Sequence, residues 1–294
     1  MNWDKAMNLL IIMFISINLY LGLGNYNKYV LSYRLDTNQV DTVKALLEED
    51  AIYIQGDLPL SYKPMGTVWL KPMMIDNSLR DRIIKAILSE DLAQVIIRKD
   101  KEVDGQSTEH LVYTYDNKEL KFAGNQVNYS DQNVSQEAVV GEKKQLLATA
   151  NDFVTRLDLS ENYKNKIINY KIESYGAEVT YYEVYKGFPL FDSYVKMKIT
   201  PEGVAQAELK LTKQEERVMN TQSIIPINRI LFELSEVIDA VEAVNILNIE
   251  LGYGIQERKR MHFLEEELIP MYKIEISGLN ESLFVNAYTS ELIN

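Results

Sequence analysis

The sequence predicts an α+β protein, with one N-terminal transmembrane helix followed by an ectodomain of helix-plus-antiparallel-sheet modules. An almost unbroken apolar run opens the chain, and the residues after it have the composition of a soluble body. Two later segments repeat apolar residues with the period of a helix, and strand-like stretches with a two-residue period follow each. We therefore divide the chain into a short cytoplasmic tail (1–5), a transmembrane helix (6–25), an N-terminal α+β module (36–135) and two helix-plus-sheet modules (136–213 and 224–294).

The apolar run from Ala6 to Leu23 is long enough to span a bilayer. Its 18 residues extend about 27 Å as a helix, against a hydrocarbon core of about 30 Å. A cleaved secretory signal is the alternative, but its apolar region is usually about 7 to 15 residues long. Its one candidate cleavage site is Gly22-Leu23-Gly24, and interface-type aromatic residues follow at Tyr26, Tyr29 and Tyr33. We favour a retained anchor that contacts the lipid bilayer through residues 6–23.

Charge does not settle the orientation of this span, because Lys5 lies on one side and Lys28 and Arg34 lie on the other. A leader as short as Met1 to Lys5 usually stays in the cytoplasm. We expect a single-pass protein of the cell membrane, with a cytoplasmic N-terminus and an extracellular C-terminal body.

Six residues of the span are spaced alternately three and four apart, as on the a/d seam of a heptad. They are Asn8, Ile11, Ile15, Asn18, Gly22 and Asn25. A carboxamide that faces lipid is costly, whereas across a helix pair it finds a partner for roughly 0.6 to 2 kcal/mol, and a glycine lets two backbones approach. We predict that this seam contacts a second transmembrane helix. The simpler interpretation is that an anchor tolerates asparagines near its ends, and for Asn8 alone it would suffice.

The composition of the body excludes several classes of protein. The net charge is −12 and the chain has no Lys/Arg block, so nucleic acid is not an expected partner. An acidic body is also repelled by anionic headgroups. The chain has no cysteine, which excludes a disulfide framework and thiolate chemistry and fits a bacterial surface.

The N-terminal module begins with two amphipathic helices. Asp36 or Thr37 caps the first, and Asn77 or Ser78 caps the second. The predicted inward faces are Val40, Val43, Leu46 and Leu47 in the first helix, and Leu79, Ile83, Ile84 and Ile87 in the second. Strands are predicted at 51–55 and 92–97, and as a hairpin of 111–115 and 120–122 through Asp116-Asn117. The polar stretch 124–137 indicates a linker.

The two later modules resemble each other weakly. The apolar face of a helix at about 140–157, from Leu146 to Leu157, recurs 84 residues later from Ile230 to Val241. Strands are predicted at 166–173, 178–185, 194–199 and 204–211 after the first helix, and at 247–253, 254–260, 268–276 and 283–288 after the second. The aromatic segment Gly187–Phe191 between two of these strands either packs on the core or meets a partner, and we favour the core.

Catalytic chemistry is not indicated. The chain has two histidines, His110 and His262, and no thiolate that could complete a zinc site beside them. It carries no G-x-S-x-G elbow, no H-E-x-x-H motif and no P-loop. We expect no enzymatic activity, no metal and no cofactor.

The whole chain resembles the YycI family, the membrane-anchored accessory regulators of the essential cell-wall sensor histidine kinase WalK (YycG) of low-GC Gram-positive bacteria. The resemblance rests on the opening Met1-Asn2-Trp3-Asp4-Lys5 that runs into an apolar span, and on three later stretches. These are PLF…V-x-M-x-I-T-x-x-G from Pro189 to Gly203, L-I-P-M-Y-K-I-E-I from Leu268 to Ile276, and F-V-N-A-Y-T-S-E-L from Phe284 to Leu292. The last three resemble the paired modules of that family, which are similar to PepSY-type domains.

This resemblance implies a two-component system regulator without an active site. A YycI-like protein associates with the sister protein YycH and with the kinase through transmembrane helices, and it adjusts kinase activity in cell-wall homeostasis. On this chain the transmembrane role falls on Asn8 through Asn25.

Two alternatives belong to other classes. The first is a membrane-tethered extracellular binding or peptidase-inhibitory module of PepSY type, for which any unrelated transmembrane helix could replace residues 6–25. The second is a cell-surface enzyme, which would need His110 or His262 in a pocket against carboxylates.

Overall fold

The structure is a computed structural model, and it describes residues 3–101, 109–135, 141–159, 167–215, 221–237, 243–256, 265–279 and 281–293. A long apolar N-terminal helix precedes mixed helices and a large, mostly antiparallel sheet. The predicted α+β class is confirmed.

The described residues form five α-helices and fifteen strands. The helices are α1 (Trp3–Ser32), α2 (Thr37–Glu49), α3 (Asn77–Ile87), α4 (Lys143–Arg156) and α5 (Ile227–Val237). The strands of the first half are β1 (Ile52–Ile54), β2 (Val68–Pro72), β3 (Ile96–Lys101), β4 (Glu109–Tyr115), β5 (Lys118–Ala123) and β6 (Gln126–Asp131). The later strands are β7 (Ile167–Glu173), β8 (Gly176–Tyr185), β9 (Phe188–Thr200), β10 (Gly203–Lys210), β11 (Thr212–Glu215), β12 (Val244–Ile255), β13 (Glu266–Ile276), β14 (Leu283–Asn286) and β15 (Leu292–Ile293).

These elements form two compact units that are discontinuous in sequence. Unit 1 comprises Met1–Gly66, Thr221–Glu250 and Tyr272–Asn294, and unit 2 comprises Thr67–Asn220 and Leu251–Met271. The module boundaries 36–135, 136–213 and 224–294 remain a prediction.

Unit 2 contains the same arrangement twice, namely one helix followed by a four-stranded antiparallel meander. The first set is α3 with β3 to β6, and the second is α4 with β7 to β10. The last strands of the two sets, β6 and β10, pair antiparallel, so eight strands follow one another in the order β3-β4-β5-β6-β10-β9-β8-β7. Both helices contribute to one hydrophobic core, through Leu79, Ile83, Ile84 and Ile87 of α3 and Leu146, Ala150, Phe153 and Val154 of α4.

The predicted linker at 124–137 is wrong, because six of its residues form β6, an inner strand between β5 and β10. Its residues alternate as a strand requires: Val127 and Tyr129 are buried, and Asn128 between them is exposed. Only two of its six residues are apolar or aromatic, so composition concealed the strand. The pairing with β10, some 80 residues away, supplies the burial that composition does not indicate.

Other local predictions for unit 2 are confirmed. β4 and β5 are joined by the two-residue turn Asp116-Asn117, and both turn residues have positive φ (45° and 58°), as a type I′ hairpin turn requires. Pro189, Leu190 and Phe191 are buried in β9, so the aromatic segment packs on the core.

Two strand predictions need correction. Residues 92–97 were predicted as one strand, but Leu92–Gln94 form a 3-10 turn because the Asp91 carboxylate accepts the Ala93 N–H (3.0 Å), and β3 begins at Ile96. Residues 247–253 and 254–260 were predicted as two strands, but β12 continues through Gly254 to Ile255. The nearby Gly252 allows close approach there, since a Cβ atom would lie 2.6 Å from the Pro189 carbonyl oxygen.

Unit 1 combines α2 and α5 with short strands. The Asp36 carboxylate caps α2 by accepting the Gln39 N–H (2.8 Å), and the Gln39 side chain accepts the Asp36 N–H in return. α2 contacts α5 and β1, and β1 runs parallel to the first residues of β12. The buried apolar residues of these elements are Val43, Leu47, Ile52, Ile227, Ile230, Leu231, Leu234 and Ile246.

The position of β6 inside the sheet predicts unequal effects at two adjacent residues. Val127→Ser removes buried methyl groups and buries a hydroxyl, so we expect it to lower the free energy of unfolding by about 2–4 kcal/mol. Asn128→Ser changes an exposed residue of the same strand and should stay within about 0.5 kcal/mol of the wild type. Urea unfolding of the detergent-solubilised chain measures both, and equal effects would contradict an inner strand.

Candidate functional site: the membrane helix and its junction

Among the described residues, α1 is the one helix that is long and apolar enough to cross a membrane. Its 30 residues extend about 45 Å, which exceeds the hydrocarbon core of about 30 Å. None of its residues is buried. This long apolar N-terminal helix is consistent with a signal anchor or a signal sequence.

The predicted seam forms a continuous stripe on α1. At 3.6 residues per turn, Asn8, Ile11, Ile15, Asn18, Gly22 and Asn25 fall within an arc of about 100°. All six are exposed, and a Cβ atom added at Gly22 would meet nothing within 4 Å. The structure therefore places the six residues on one face that is open to a second helix.

One seam carboxamide is partly satisfied by its own helix. Asn18 Nδ2 donates to the Phe14 carbonyl oxygen four residues earlier at 2.9 Å, as the Ser16 hydroxyl does to Ile12 at 2.8 Å. This bond lowers the cost of placing Asn18 in lipid, because one of its two N–H groups no longer needs a partner. The second N–H and the side-chain oxygen keep the capacity to bond across a helix pair.

The stripe is longer than the predicted seam. Asp4 lies on the same arc at the start of α1, and Tyr29 lies on it one turn beyond Asn25. From the sequence, Tyr29 and Tyr33 are expected only as residues of an interface belt. Tyr29 follows Asn25 by four residues, which continues the alternating three-four spacing of the seam, and this was the signal that could have extended it.

A short segment of unit 1, residues 58–62, pairs with the residues that follow α1, and we call it the strap. The Leu35 N–H donates to the Leu60 carbonyl oxygen at 2.9 Å, and the Tyr62 N–H donates to the Tyr33 carbonyl oxygen at 3.0 Å. Between these bonds, Arg34 and Ser61 form an antiparallel bridge. Leu35 and Leu58 are buried at this ribbon. No sequence signal indicated the strap, because its pairing joins residues almost 30 positions apart.

Tyrosine side chains extend this contact onto α1 itself. The rings of Tyr29 and Tyr33 meet edge to face with centroids 5.1 Å apart, and those of Tyr33 and Tyr62 do so at 6.0 Å. The Tyr62 hydroxyl donates to the carbonyl oxygen of Ser32, the last residue of α1, at 3.0 Å. Because Tyr29 belongs to the stripe, the strap fixes the direction in which the stripe faces relative to unit 1.

The structure does not test the two candidate catalytic histidines. His110 falls in β4, and His262 lies outside the described residues. No group of three or more His, Asp or Glu side chains in the described part of the chain could hold a metal ion. The absence of enzymatic activity, metal and cofactor remains a prediction.

A second polar cluster lies inside unit 2, where β9 bulges. Between the pairs Tyr182↔Tyr194 and Glu183↔Leu190, β9 carries extra residues that β8 does not match. The buried Glu183 accepts hydrogen bonds from the Ser193 hydroxyl and from Gln214 Nε2, each at 2.7 Å. Burial raises the pKa of Glu183, although these two hydrogen bonds oppose the rise.

The neighbouring charges of this bulge bond to one another and to the backbone. Asp192 accepts from Lys210 Nζ at 2.8 Å and from the Ile255 N–H at 3.1 Å, which joins the bulge of β9 to β12. Burial raises the pKa of nearby Glu266, and the Asp192 charge adds to this rise while Lys210 opposes it. These groups hold strands together, so we assign the cluster a structural role.

Comparison with known proteins identifies relatives of the fold. No family model matches this chain, and no curated protein matches it. The crystal structure of an uncharacterized protein from Eubacterium rectale is similar, with 11% sequence identity and a TM-score of 0.54 over 83% of this chain and 91% of that one. The C-terminal domain of YpeB from Bacillus megaterium is 14% identical, with a TM-score of 0.40 over 75% of this chain and 96% of that domain. The first likeness concerns the fold alone.

The strap contact predicts the effect of removing one ring. Tyr62→Ala deletes the edge-to-face contact with Tyr33 and the hydrogen bond to Ser32, which together are worth about 1–2 kcal/mol. We expect hydrogen exchange of the Leu35 amide to be roughly 5 to 30 times faster in this variant. Tyr53→Ala, at an exposed tyrosine of β1 in the same unit, is the control and should leave that amide unchanged. Unchanged exchange in Tyr62→Ala would show that the side chain does not hold the ribbon.

Glu183 predicts a pH dependence of stability. Its folded pKa lies above its usual value of 4.5, so the ionised carboxylate destabilises the fold at neutral pH, and this penalty disappears as pH falls through the folded pKa toward 4.5. Glu183→Gln should therefore be more stable than the wild type at pH 7.5, with a gain that shrinks on acidification. Urea unfolding at several pH values measures the difference. A loss of stability that is largest at pH 7.5 and shrinks on acidification would contradict this, because it would mean that the fold stabilises the ionised carboxylate.

Proposed function

We propose that this protein is a membrane-anchored regulator of a cell-wall sensor histidine kinase, which it binds through α1 together with a YycH-type partner. The observation that carries the proposal is the stripe on α1, which places three asparagines and a glycine on one exposed face and is joined at its outer end to the strap. The family resemblance of the sequence supplies the identity of the partners. In this proposal the protein has no active site.

The stripe supports a helix–helix contact because its polar groups need partners in lipid. Asn8 and the remaining groups of the Asn18 carboxamide can bond across a helix pair, and Gly22 allows close approach of the two backbones. Asp4 extends the stripe toward the N-terminal end, where a partner helix with a Lys or Arg residue would pair with it. A ring of hydrophobic residues alone would give no preference for one face of α1.

The proposed topology places the N-terminus in the cytoplasm and the C-terminal body outside, in the cell membrane of a Gram-positive bacterium. α1 is long enough for this with several residues to spare at its outer end. Residues from Tyr26 to Ser32 then lie in the headgroup layer and beyond it, where tyrosine is a favoured residue.

Regulation requires that the protein distinguish two states of the kinase. A partner helix shifts the kinase only if it binds its active and inactive states with different affinity. The strap gives unit 1 a means to influence that difference, because rotation of α1 against the strap would disturb the Tyr62 hydroxyl bond to Ser32 and the ring contact between Tyr29 and Tyr33. A conformational change of the strap in unit 1 would therefore change the direction in which the stripe faces.

The sequence stretches that carry the family resemblance fall on buried strands. The stretch 189–203 covers most of β9, 268–276 lies within β13, and 284–292 begins in β14. Their apolar positions serve the core, so they support a shared fold, and the regulatory role rests on α1. The alternative, an extracellular binding or peptidase-inhibitory PepSY-like module, makes α1 a tether and predicts that stripe residues are dispensable.

Substitution of the stripe separates these two functions. Asn8→Leu with Asn18→Leu removes two carboxamides, each worth about 0.6 kcal/mol or more across a helix pair, so we expect co-purification with the kinase and the YycH-type partner to fall at least fivefold. Ser16→Leu makes a similar change away from the stripe and should co-purify as the wild type does. The regulator proposal fails if the double variant and Ser16→Leu both retain wild-type yields, whereas the tether alternative requires this result.

A further inference from the structure

Three basic side chains lie around the point where α1 leaves the proposed membrane span. Lys28 is one helical turn before Ser32, the last residue of α1, and Arg34 pairs with Ser61 of the strap. Lys63 directly follows Tyr62, whose hydroxyl bonds to the Ser32 carbonyl oxygen. All three side chains are exposed. We call Lys28, Arg34 and Lys63 the basic collar.

The collar is a local exception in an acidic chain. The net charge of the whole protein is −12. Near the end of α1, however, the acidic residues lie farther along the sequence from the α1 end of the ribbon than Arg34 and Lys63 do. Asp36 follows the collar and is engaged in capping α2, and Asp57 precedes the strap. Positive charge is therefore concentrated at the end of the ribbon that adjoins α1.

The collar begins at the outer edge of the lipid headgroups. Lys28 is five residues beyond Leu23, which places it about 7.5 Å outside the apolar run, and the headgroup layer of each leaflet is about 5–7.5 Å thick. Ser32 lies a further 6 Å or so out, Lys63 directly follows the Tyr62 that bonds to it, and the flexible stem of a lysine can reach back toward the headgroups. The exposed rings of Tyr26 and Tyr29 mark the same layer.

We propose that the basic collar binds the phosphate groups of anionic lipid headgroups on the side of the membrane where unit 1 lies. The inference rests on the proposed span of α1. Attraction between a basic segment and an anionic surface acts within a Debye length of about 10 Å, so the collar is drawn to the surface while the more distant acidic groups are repelled. The collar thus holds the strap against the bilayer and limits the tilt of α1, and this determines how the stripe is presented to a partner.

The full-length chain offers a direct test, because it has no native cysteine. Ser61→Cys, at an exposed position of the strap, takes an environment-sensitive fluorophore, and the protein is reconstituted into vesicles of phosphatidylcholine alone or mixed with phosphatidylglycerol. We expect a blue-shifted emission and stronger quenching by lipid-attached quenchers in the anionic vesicles. Salt at about 1 M, where the Debye length is about 3 Å, should abolish both effects. Inorganic phosphate added to neutral vesicles should produce neither.

Charge-removing variants identify the groups responsible. Each cation near the surface contributes about a fivefold factor to the ratio of bound to released strap, so Lys28→Gln, Arg34→Gln and Lys63→Gln combined should return the label to its emission in neutral vesicles. The matched control removes three exposed lysines of unit 2 (Lys85→Gln, Lys186→Gln and Lys213→Gln) and should keep the response. An equal loss of the response in both triple variants would overturn the proposal, because it would then reflect only net charge.

Insertion is measured separately, by flotation of the protein with vesicles after alkaline washing. A chain that does not float contradicts the proposed span of α1 and with it the regulator proposal. If the chain floats but the emission of the label at position 61 does not change with phosphatidylglycerol, the result contradicts only the proposal that the collar binds lipid. A response to inorganic phosphate in neutral vesicles would show a phosphate site that is independent of lipid, and would also overturn it.

Discussion

The short antiparallel ribbon between the end of α1 and the strap is the contact on which the proposed function depends. An isolated helix in a bilayer is free to rotate about its axis, so a stripe of asparagine and glycine would face every direction in turn. Two backbone hydrogen bonds, the Tyr62 hydroxyl bond to Ser32 and a row of three tyrosine rings remove that freedom. Because Tyr29 lies on the stripe itself, the constraint acts on the face that we assign to the partner helix. The orientation of the anchor is thereby coupled to that of the strap.

Charged groups serve two different purposes in this chain. Inside unit 2 the carboxylates of Glu183 and Asp192 are bonded to side chains and to the backbone, and they hold a strand bulge in place. At the collar the basic side chains are exposed, so they are available to an external anion. Burial and mutual bonding make the first group structural, and exposure beside the proposed membrane span makes the second the binding surface that we propose.

Local pattern predicted much of the fold. The inward faces of α3 and α4, the type I′ turn at Asp116-Asn117 and the burial of Phe191 all follow from periodicity and turn chemistry, which neighbouring residues decide. Prediction failed where the structure of a segment depends on residues that are distant in the sequence. β6 was mistaken for a linker because its composition is polar and its burial comes from β10. Gly254 was taken to separate two strands, although β12 runs through it. The seam was predicted from its spacing, but its extension to Tyr29 and its attachment to the strap were missed.

The sequence by itself determined that the chain begins with an apolar helix of membrane-spanning length, that the asparagines and Gly22 of this helix share one face, and that an acidic α+β body without cysteine follows. These properties are encoded in consecutive residues, since hydropathy and helical periodicity need no tertiary contact. Only the tertiary structure decided that the helix continues to Ser32 and that residues 58–62 pair with the residues after it. This pairing is also what brings the segment of Lys63 to the end of the helix that carries Lys28 and Arg34. The physical reason is that backbone pairing between distant segments leaves no periodic trace in either one.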